Sequence, residues 1–580
     1  MSEFYALDFE APATAGGPVN PANLPVLVCF GVSGQLQALR EDQITLDALQ
    51  DVYEYELTCH GGKFDLGYLK RAGIDLHGIE LYDTLVAQKV LAGNRRWPLS
   101  LELVAQRYKL GGKDHLVSRL LRGGVPPSDV PAKLLEKYCR RDCELAGEVE
   151  AAQRPRLGRL ASVVQTRCAL TPALADIEFN GMRLDKRAVQ QEFRTQTELL
   201  QARAAELRQL VGEVNLNSPK QVAELLYDRY KMKEVTNSYG KPVRTETGAR
   251  ATSEDILQKL RPTNAESRVF LKAKLEYAKA HALLSKCLTK MQECCERDGV
   301  LYATFNQNVT QTGRLSSTGG EHKIQFQNFP LAYKRLIVPA KGKLILEVDF
   351  RQLEFRVAVD LARDPVGRDD ILSGRDVHAY TAQVLTKAGQ PTSRQDAKPH
   401  TFKPLYGGQS GTEAERAYYQ AFRQRYAQIY KTQLEWANEV LHSGELETAW
   451  GMRFYWPDTT MSKSGYISNT PSIFNYPIQA LATAEILPMA LTGLWHDLDG
   501  LESRIINTVH DSVVLEVDPE ELSTVKYLVV DNFLTKMYNR LKSRYDYDFV
   551  TPLSVEIKVG PRWGEGEAVT VDSQVPKLSR

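Results

Sequence analysis

Two acidic residues stand at the ends of strongly apolar segments, and this placement constrains the fold more than any other feature of the sequence. The run LILEV precedes Asp349, and two further runs, IINTV and VVLEV, meet at Asp511. An acid at the tip of a buried strand is costly unless a cation or a hydrogen bond compensates it. Each acid could simply cap a following helix or turn. Alternatively, both could converge on hard divalent cations, which prefer oxygen ligands.

The patterns along the chain predict several domains. Residues 1–150 alternate short apolar runs with helical patterns, which indicates an α/β domain. Residues 150–300 are largely helical, and strand signals return afterwards, with a β-hairpin expected at His510-Asp511-Ser512. A helical block at 373–447, rich in Arg, Lys and Tyr, interrupts this second strand-rich region.

Bulk composition excludes few functions. The 580 residues are enough for three or four domains at about 100–200 residues each. The 73 basic residues balance 72 acidic ones, so a nucleic-acid binder of this kind must concentrate positive charge locally. The start has no signal pattern, and no run approaches about 18 apolar residues. We therefore expect a cytoplasmic protein with reduced thiols and no membrane association.

Three segments carry a resemblance to a known family. DFRQLEFR (349–356), RQDAKPHTFKPLYGG (394–408) and VHDS (509–512) are similar to motifs A, B and C of the A-family DNA polymerases, and they occur in the same order. TGRLSS (312–317), QFQNFP (325–330), DVHAYTA (376–382) and NYPIQ (475–479) also match. The chain resembles the bacterial DNA polymerase I group and, in its compact length, the phage replicative enzymes.

The resemblance implies a two-metal site for phosphoryl transfer. Asp349 and Asp511 would hold two Mg²⁺ ions, with the carbonyl of Phe350 completing the shell and Mn²⁺ as a substitute metal. Ions about 3.5–4 Å apart neutralise charge on the entering and leaving oxygens. Lys398 would also protonate the departing pyrophosphate.

The substrate contacts are implied by the same resemblance. Residues 394, 398, 402 and 406 recur at intervals of four, which would place them along one helix face. Glu354 and Tyr406 would pack where a ribose 2′-hydroxyl would sit, favouring deoxynucleotides by steric exclusion. The expected nucleotide contacts are Arg394, Lys398, Phe402, Tyr406, Glu354, His378 and Gln352. The expected primer–template contacts are Arg314, Gln325, Asn328, Gln479 and His510.

Some positions depart from the family pattern. Ser512 stands where the family usually has Glu, as it does in the single-subunit RNA polymerases. Pro399 and Pro404 lie inside an expected helix, where each carries a penalty of about 3 kcal/mol. We therefore expect a kinked or tightened segment at motif B.

A second set of acids lies near the amino terminus. YALDFE places Asp8 and Glu10 on one strand face, KFD supplies Asp65, and YCRRD places Tyr138 and Asp142 one helical turn apart. This set resembles the motifs of the DEDDy 3′–5′ exonucleases, although Gly61 replaces the usual Asn. The resemblance implies that the four carboxylates hold two metals while Tyr138 orients the attacking water.

Together these features imply an α/β and α+β multidomain protein, with an RNase H-like exonuclease domain followed by a right-hand polymerase. The expected domains are 1–160, exonuclease; 161–300, start of the palm and helical thumb; 301–372, palm with motif A; 373–474, fingers with motif B; and 475–580, palm with motif C.

We expect a replicative DNA polymerase with proofreading, encoded by a phage and acting in the host cytoplasm. The alternatives are an enzyme resembling the single-subunit RNA polymerases, a repair polymerase, or a DNA-binding module without catalysis. Primed DNA and dNTPs are the expected ligands, and a helicase-primase and a single-strand-binding protein the expected replisome partners of a monomer. No residues precede the exonuclease motifs to form a 5′-nuclease, so we expect that activity to be absent.

Overall fold

The computed structural model describes residues 4–12, 17–113, 115–236, 240–245, 247–319, 324–408 and 411–573. The chain divides into two units, one formed by Met1–Met182 with Tyr302–Arg580 and the other by Arg183–Leu301. The finer domain bounds expected from the sequence remain predictions.

An α/β domain forms the amino-terminal part of the first unit. Its sheet has the order β3-β2-β1-β4-β5, in which β1 runs antiparallel to β2 and parallel to β4. The strands are β1 (Tyr5–Glu10), β2 (Leu27–Val32), β3 (Gln37–Arg40), β4 (Glu56–Cys59) and β5 (Glu80–Asp83). The helices are α1 (Lys63–Arg71), α2 (Thr84–Ala92), α3 (Leu101–Arg107), α4 (His115–Arg122), α5 (Ala132–Leu157) and α6 (Leu160–Asn180). The predicted α/β class is confirmed.

The unit Arg183–Leu301 is mainly helical. Asp185 caps its first helix by accepting a hydrogen bond of 3.0 Å from the Ala188 N–H, and Leu207 and Phe270 lie in its apolar core. The helices are α7 (Lys186–Val211), α8 (Pro219–Ala223), α9 (Glu254–Lys259), α10 (Ala265–Leu283) and α11 (Thr289–Arg297). The short strands at its ends are β6 (Met182–Arg183) and β7 (Val300–Leu301).

A second sheet, of order β13-β14-β10-β15-β16, organises the rest of the first unit. Strand β10 lies at its centre, which explains the largely apolar run LILEV, whose one acid, Glu347, pairs with Lys334 at 2.6 Å. The strands are β8 (Phe305–Asn306), β9 (Ser316–Ser317), β10 (Leu344–Phe350), β11 (Glu445–Glu447), β12 (Arg453–Tyr455), β13 (Arg504–Val509), β14 (Ser512–Val517), β15 (Ser554–Gly560) and β16 (Ala568–Asp572).

The predicted helical block at 373–447 is confirmed, because four α-helices lie within it in the described chain. The helices that follow β10 in the chain are α12 (Leu353–Ala362), α13 (Pro365–Leu372), α14 (Val377–Lys387), α15 (Arg394–Thr401), α16 (Glu413–Arg425), α17 (Ala427–Ser443), α18 (Thr470–Ala480), α19 (Leu487–Asp497), α20 (Leu522–Val530) and α21 (Lys536–Tyr545).

One helical stretch, Thr470–Asp497, is long and apolar enough to cross a membrane by length and composition. It comprises α18 and α19 joined by a π-helical turn at Leu481–Ile486. Of its most apolar window, 83% is buried inside the protein. Its hydrophobicity is therefore accounted for by packing, as in the core helix of a globular domain.

A paired contact joins the loop after α2 to strand β12. The Asn94 side chain donates to the Tyr455 carbonyl (2.8 Å) and accepts from the Tyr455 N–H (2.6 Å). The Arg95 guanidinium lies 3.6 Å from the centre of the Tyr455 ring and 3.9 Å from that of Trp97. The side-chain amide of Asn94 therefore makes the two hydrogen bonds that a neighbouring strand would make with the backbone of Tyr455.

Candidate active sites

Strand register brings Asp349 and Asp511 together. Strand β10 pairs antiparallel with β14, with Asp349 opposite Ser512, so the turn that carries Asp511 lies at the end of β10. The Phe350 N–H donates to the Asp511 carbonyl (3.2 Å), which fixes the hairpin turn against the end of β10. The predicted hairpin is confirmed by the antiparallel pairing of β13 with β14.

The electrostatics of this pair favour a bound cation. Burial, and then repulsion by Asp511, raise the pKa of Asp349, and burial likewise raises the pKa of Asp511. Arg314 opposes the shift at Asp511. Two half-buried carboxyl groups that repel each other must retain a proton or bind a cation. Their all-oxygen chemistry fits a divalent ion such as Mg²⁺. The role of the Phe350 carbonyl remains a prediction.

Unusual backbone conformations flank both acids. Gln352, before α12, has φ of +53°, and His510, before Asp511, has φ of +58°. Side chains in this left-handed region cost about 1–2 kcal/mol, and such residues cluster at functional sites. The Ser512 hydroxyl donates a hydrogen bond to the Val509 carbonyl (2.8 Å). The serine that replaces the usual Glu of the family therefore stabilises the hairpin turn.

Four predicted substrate residues connect to this acidic pair. Arg314 donates to Nδ1 of His510 at 2.5 Å and lowers the pKa of Asp511 through its charge. Gln479 accepts from the Thr312 hydroxyl (2.7 Å); burial raises the pKa of Glu354, and the neighbouring Gln479 side chain opposes that rise. The structure therefore brings Arg314, His510, Gln479 and Glu354 to the same region.

Gln327 is a site residue that sequence reasoning missed. Its side-chain oxygen accepts from the His510 N–H at 2.9 Å, which supports the turn beside Asp511. The neighbouring predictions, Gln325 and Asn328, are exposed at a short 3₁₀ turn, Phe326–Asn328. Gln327 stands inside the matched segment QFQNFP, and its position between Phe326 and Asn328 is the only signal that could have identified it.

A buried ion pair supports the segment that carries Arg314. Arg167 donates to Glu485 at 2.7 Å, and their side chains are 4% and 0% exposed. Tyr545 also donates its hydroxyl to Glu485. Gly313 has φ of +84°, and a Cβ there would lie 2.4 Å from Nη1 of Arg167. Arg167 therefore packs directly against the backbone next to Arg314, which the sequence did not indicate.

Motif B does not form one continuous helix. Helix α15 ends at Thr401, Phe402 follows it, and Tyr406 lies in a separate 3₁₀ turn, Pro404–Tyr406. The expectation that residues 394, 398, 402 and 406 share one helix face is therefore wrong, because Pro404 cannot continue the α-helical hydrogen bonding. The expected tightened segment is confirmed.

Part of the predicted nucleotide site is nevertheless assembled. Arg394 donates to Asp376 (2.5 Å), whose carboxylate caps α14. His378 hydrogen-bonds the Thr401 hydroxyl (2.9 Å), and the Phe402 ring lies 5.6 Å from the His378 ring. Arg394 and Gln352 both line a cavity of about 300 Å³.

Lys398 and Tyr406 are the other two residues predicted to contact the nucleotide. Lys398 is exposed on α15, and Tyr406 is half-buried on its 3₁₀ turn. The packing of Tyr406 against Glu354 remains a prediction.

The amino-terminal acids also converge. Asp8 and Glu10 lie on β1, and the Phe9 N–H between them donates to Asp65 of α1 at 2.9 Å. Helix α5 packs against β1 and supplies Tyr138 and Asp142, which are 7% and 6% exposed. All five residues predicted for this site are therefore in one cluster.

This acidic cluster carries unsatisfied buried oxygens. Burial raises the pKa values of Asp8, Glu10, Asp65 and Asp142, and repulsion among the acids raises several of them further. Among the described residues, Asp8 Oδ2 and Asp142 Oδ1 are buried without a hydrogen-bond partner. Such oxygens are costly unless a cation binds them, so the donor set fits hard divalent metals.

Comparison with known proteins decides the family. Residues 185–565 match the family model described as DNA polymerase family A. The chain belongs to DNA polymerase family A.

The relatives of this family A chain include bacterial enzymes. It is 29% identical over 503 residues to "DNA polymerase I, thermostable" of Thermus aquaticus, covering 78% of this chain and 57% of that protein. It is 26% identical over 592 residues to "DNA polymerase I" of Synechocystis sp., covering 91% and 56%. The chain thus spans a little over half the length of these relatives.

A solved structure has the same fold as the family A chain. The POL domain of Pol1 from M. smegmatis, in complex with DNA primer-template and dNTP, matches with a TM-score of 0.75 and 21% identity. The match covers 97% of this chain and 95% of that one. The predicted multidomain polymerase fold is confirmed.

Two further residues of the amino-terminal site were missed in the sequence. Asp83 accepts from the N–H groups of Gly61 and Gly62, each at 2.9 Å, and so fixes the loop before α1 where the expected Asn is lacking. Lys113 donates to Asp142 at 2.5 Å. Its loop has no periodic pattern, so no sequence signal singles it out.

Proposed function

We propose that this family A chain is a template-directed DNA polymerase that adds dNTPs to a primer 3′ end by two-metal phosphoryl transfer. The observation that carries this proposal is the pairing of β10 with β14, which places Asp349 at the turn that holds Asp511 and His510, with Arg314 bonded to His510. The names of the relatives, and the primer-template and dNTP bound by the solved one, support it.

The metal ligands of the polymerase site would be Asp349, Asp511 and the carbonyl of Phe350. Two Mg²⁺ ions, or Mn²⁺ in their place, would activate the primer hydroxyl and neutralise charge on the entering and leaving oxygens. Arg314 opposes the raised pKa of Asp511 and so favours its ionised form, which is the form that binds a cation. The bond to Gln327 fixes the turn that presents Asp511.

The nucleotide would lie between motif B and α12. Arg394 and Lys398 would bind the triphosphate, and the exposed Lys398 ammonium would give a proton to the departing pyrophosphate. His378 would add a phosphate contact and Phe402 an apolar surface for base and sugar. Glu354 would exclude a ribose 2′-hydroxyl together with Tyr406.

Primer extension with single-site variants tests the polymerase proposal. Asp349→Asn and Asp511→Asn should each lower extension by at least about 10³-fold, since each removes a charged ligand from the reacting centre. Asp369→Asn, an exposed acid on α13, is the matched control and should extend normally. Extension that survives either active-site change would refute the assignment.

We further propose a 3′–5′ exonuclease at the amino-terminal acids. The unpartnered oxygens of Asp8 and Asp142 carry this proposal, because Asp8, Glu10, Asp65 and Asp142 would hold two divalent ions there. The metals would activate water for attack on the terminal phosphodiester. The Tyr138 hydroxyl, which shares the Lys113 ammonium with Asp142, would orient that water.

Degradation of single-stranded DNA tests the exonuclease. A double variant, Asp8→Asn with Glu10→Gln, should lose degradation and retain primer extension. Asp129→Asn, an exposed acid of the same domain, should retain both activities. Unchanged degradation in the double variant would show that hydrolysis occurs elsewhere or belongs to a contaminant.

The biological setting is part of the same proposal. We infer a monomeric replicative enzyme of a phage, acting with proofreading in the host cytoplasm beside a helicase-primase and a single-strand-binding protein. Glu354 supports DNA over RNA synthesis, and the ratio of dNTP to rNTP incorporation tests that preference.

A further inference from the structure

Lys113 places a positive charge inside the amino-terminal acidic cluster. Its ammonium donates to Asp142 at 2.5 Å and to the Tyr138 hydroxyl at 3.4 Å. The side chains of Lys113 and Asp142 are only 14% and 7% exposed, so this is not a surface ion pair screened by solvent. The same ammonium lies 5.3 Å from the centre of the Tyr138 ring.

The charge of Lys113 reaches most of the cluster. It opposes the rise in pKa at Asp8, Glu10 and Asp142, and so partly compensates these buried carboxyl groups. It does not satisfy them completely, because Asp142 Oδ1 and Asp8 Oδ2 remain unpartnered among the described residues. The singly charged ammonium of Lys113 therefore lies among carboxylate oxygens whose arrangement fits divalent ions.

Lys113 also lies where two depressions meet. One contains Asp8, Asp142 and His60, with a volume of about 450 Å³. The other is a groove of about 730 Å³ along α5. Its charged lining comprises Lys113, Lys133, Lys137, Arg140, Arg141, Glu136 and Glu144. A rotation of the Lys113 side chain would therefore move its ammonium away from the acidic cluster and into a mainly basic groove.

We propose that Lys113 is a resident cation of the exonuclease site, so that a divalent ion binds Asp142 only after displacing the Lys113 ammonium. The displaced ammonium moves to the groove, where it meets a phosphate of the incoming single strand. Lys113 is thus a positioning residue that weakens metal binding in the empty site. This inference rests on the proposed exonuclease, but it concerns metal affinity and not hydrolysis.

Mn²⁺ binding tests the inference without any turnover. The full-length chain with Asp349→Ala and Asp511→Ala removes the polymerase ligands, and Mn²⁺ is titrated by electron paramagnetic resonance. In this background Lys113→Met should bind Mn²⁺ at least about tenfold more tightly, equivalent to about 1.4 kcal/mol. Lys113→Arg should stay near the parent, because it keeps the charge.

Lys137→Met is the matched control, since it removes one positive charge from the same groove. It should change the Mn²⁺ affinity by less than about twofold. If Lys113→Met matches this control or binds Mn²⁺ more weakly, the inference is wrong. Circular dichroism establishes that each variant is folded, and Lys113→Gln replaces Lys113→Met if that variant is not.

A second comparison separates this inference from the exonuclease proposal. Adding Asp8→Asn and Glu10→Gln to the same background should abolish Mn²⁺ binding and leave the spectrum of free Mn²⁺. If these acids are required but Lys113→Met has no effect, only the role of Lys113 fails. If Mn²⁺ binding survives loss of the acids, the metal site itself is refuted.

Discussion

Replacing Gly313 with Ala tests how the protein supports the segment that carries Arg314. Gly313 has φ of +84°, where a side chain costs about 1–2 kcal/mol. The new methyl group would also lie 2.4 Å from Nη1 of Arg167, so the guanidinium must move. Breaking the buried pair of Arg167 with Glu485 costs about 3–5 kcal/mol. Gly313→Ala should therefore destabilise this region by about 4–7 kcal/mol.

Gly342→Ala provides the matched control. Gly342 has a similar φ of +87°, but a Cβ there meets no atom within 4 Å. It should therefore show only the backbone cost of about 1–2 kcal/mol. The difference between the two variants measures the contribution of the Arg167 contact.

Two assays read out the Gly313 prediction. Thermal unfolding should show a clearly larger loss for Gly313→Ala than for Gly342→Ala. Fluorescence anisotropy with a primed template should show at least tenfold weaker binding for Gly313→Ala, because Arg314 is displaced from His510. If both variants melt and bind alike, Arg167 does not support this segment.

Three further predictions address the polymerase centre. In EDTA, the free energy of unfolding should fall as the pH rises from about 4. Burial and repulsion raise the pKa of Asp349 to about 8, so the folded chain holds a proton that the unfolded chain releases. Asp511→Asn should flatten this slope in melting curves, and an unchanged slope would contradict the interaction between the two acids. Glu354→Ala should raise rNTP relative to dNTP incorporation at least tenfold in kcat/KM, and an unchanged ratio would remove Glu354 from ribose selection. Lys398→Met should lower the rate constant of single-turnover extension by about 10²–10⁴-fold, and a full rate would exclude Lys398 as the proton donor.

The strands and their acids were accessible from sequence because local patterns determine them. The LILEV run identified the central strand, and the alternating segments around Asp511 identified the hairpin. The antiparallel register then brings Asp349 beside Asp511. This register is strongly specified, because a slip of one residue would turn every side chain to the opposite face of the sheet. The resemblance to family motifs supplied the chemical roles that the patterns alone do not.

Contacts between distant segments were not accessible in the same way. Arg167, Gly313 and Glu485 belong to three segments more than 140 residues apart, and each looks ordinary in its own segment. Lys113 lies in a loop, where no periodicity links it to Asp142. Motif B was misjudged because a spacing of four residues fits a helix even where Pro404 ends it.

The pairing of Asn94 with Tyr455 makes the amino-terminal domain part of the polymerase scaffold. Removing that domain would leave both backbone groups of Tyr455 without their amide partner and strip Arg95 from its ring. Chimaeras that exchange the domain between relatives should therefore transplant residues 453–455 along with it. Chimaeras that leave out these residues would have a destabilised strand β12 at the boundary between the two domains.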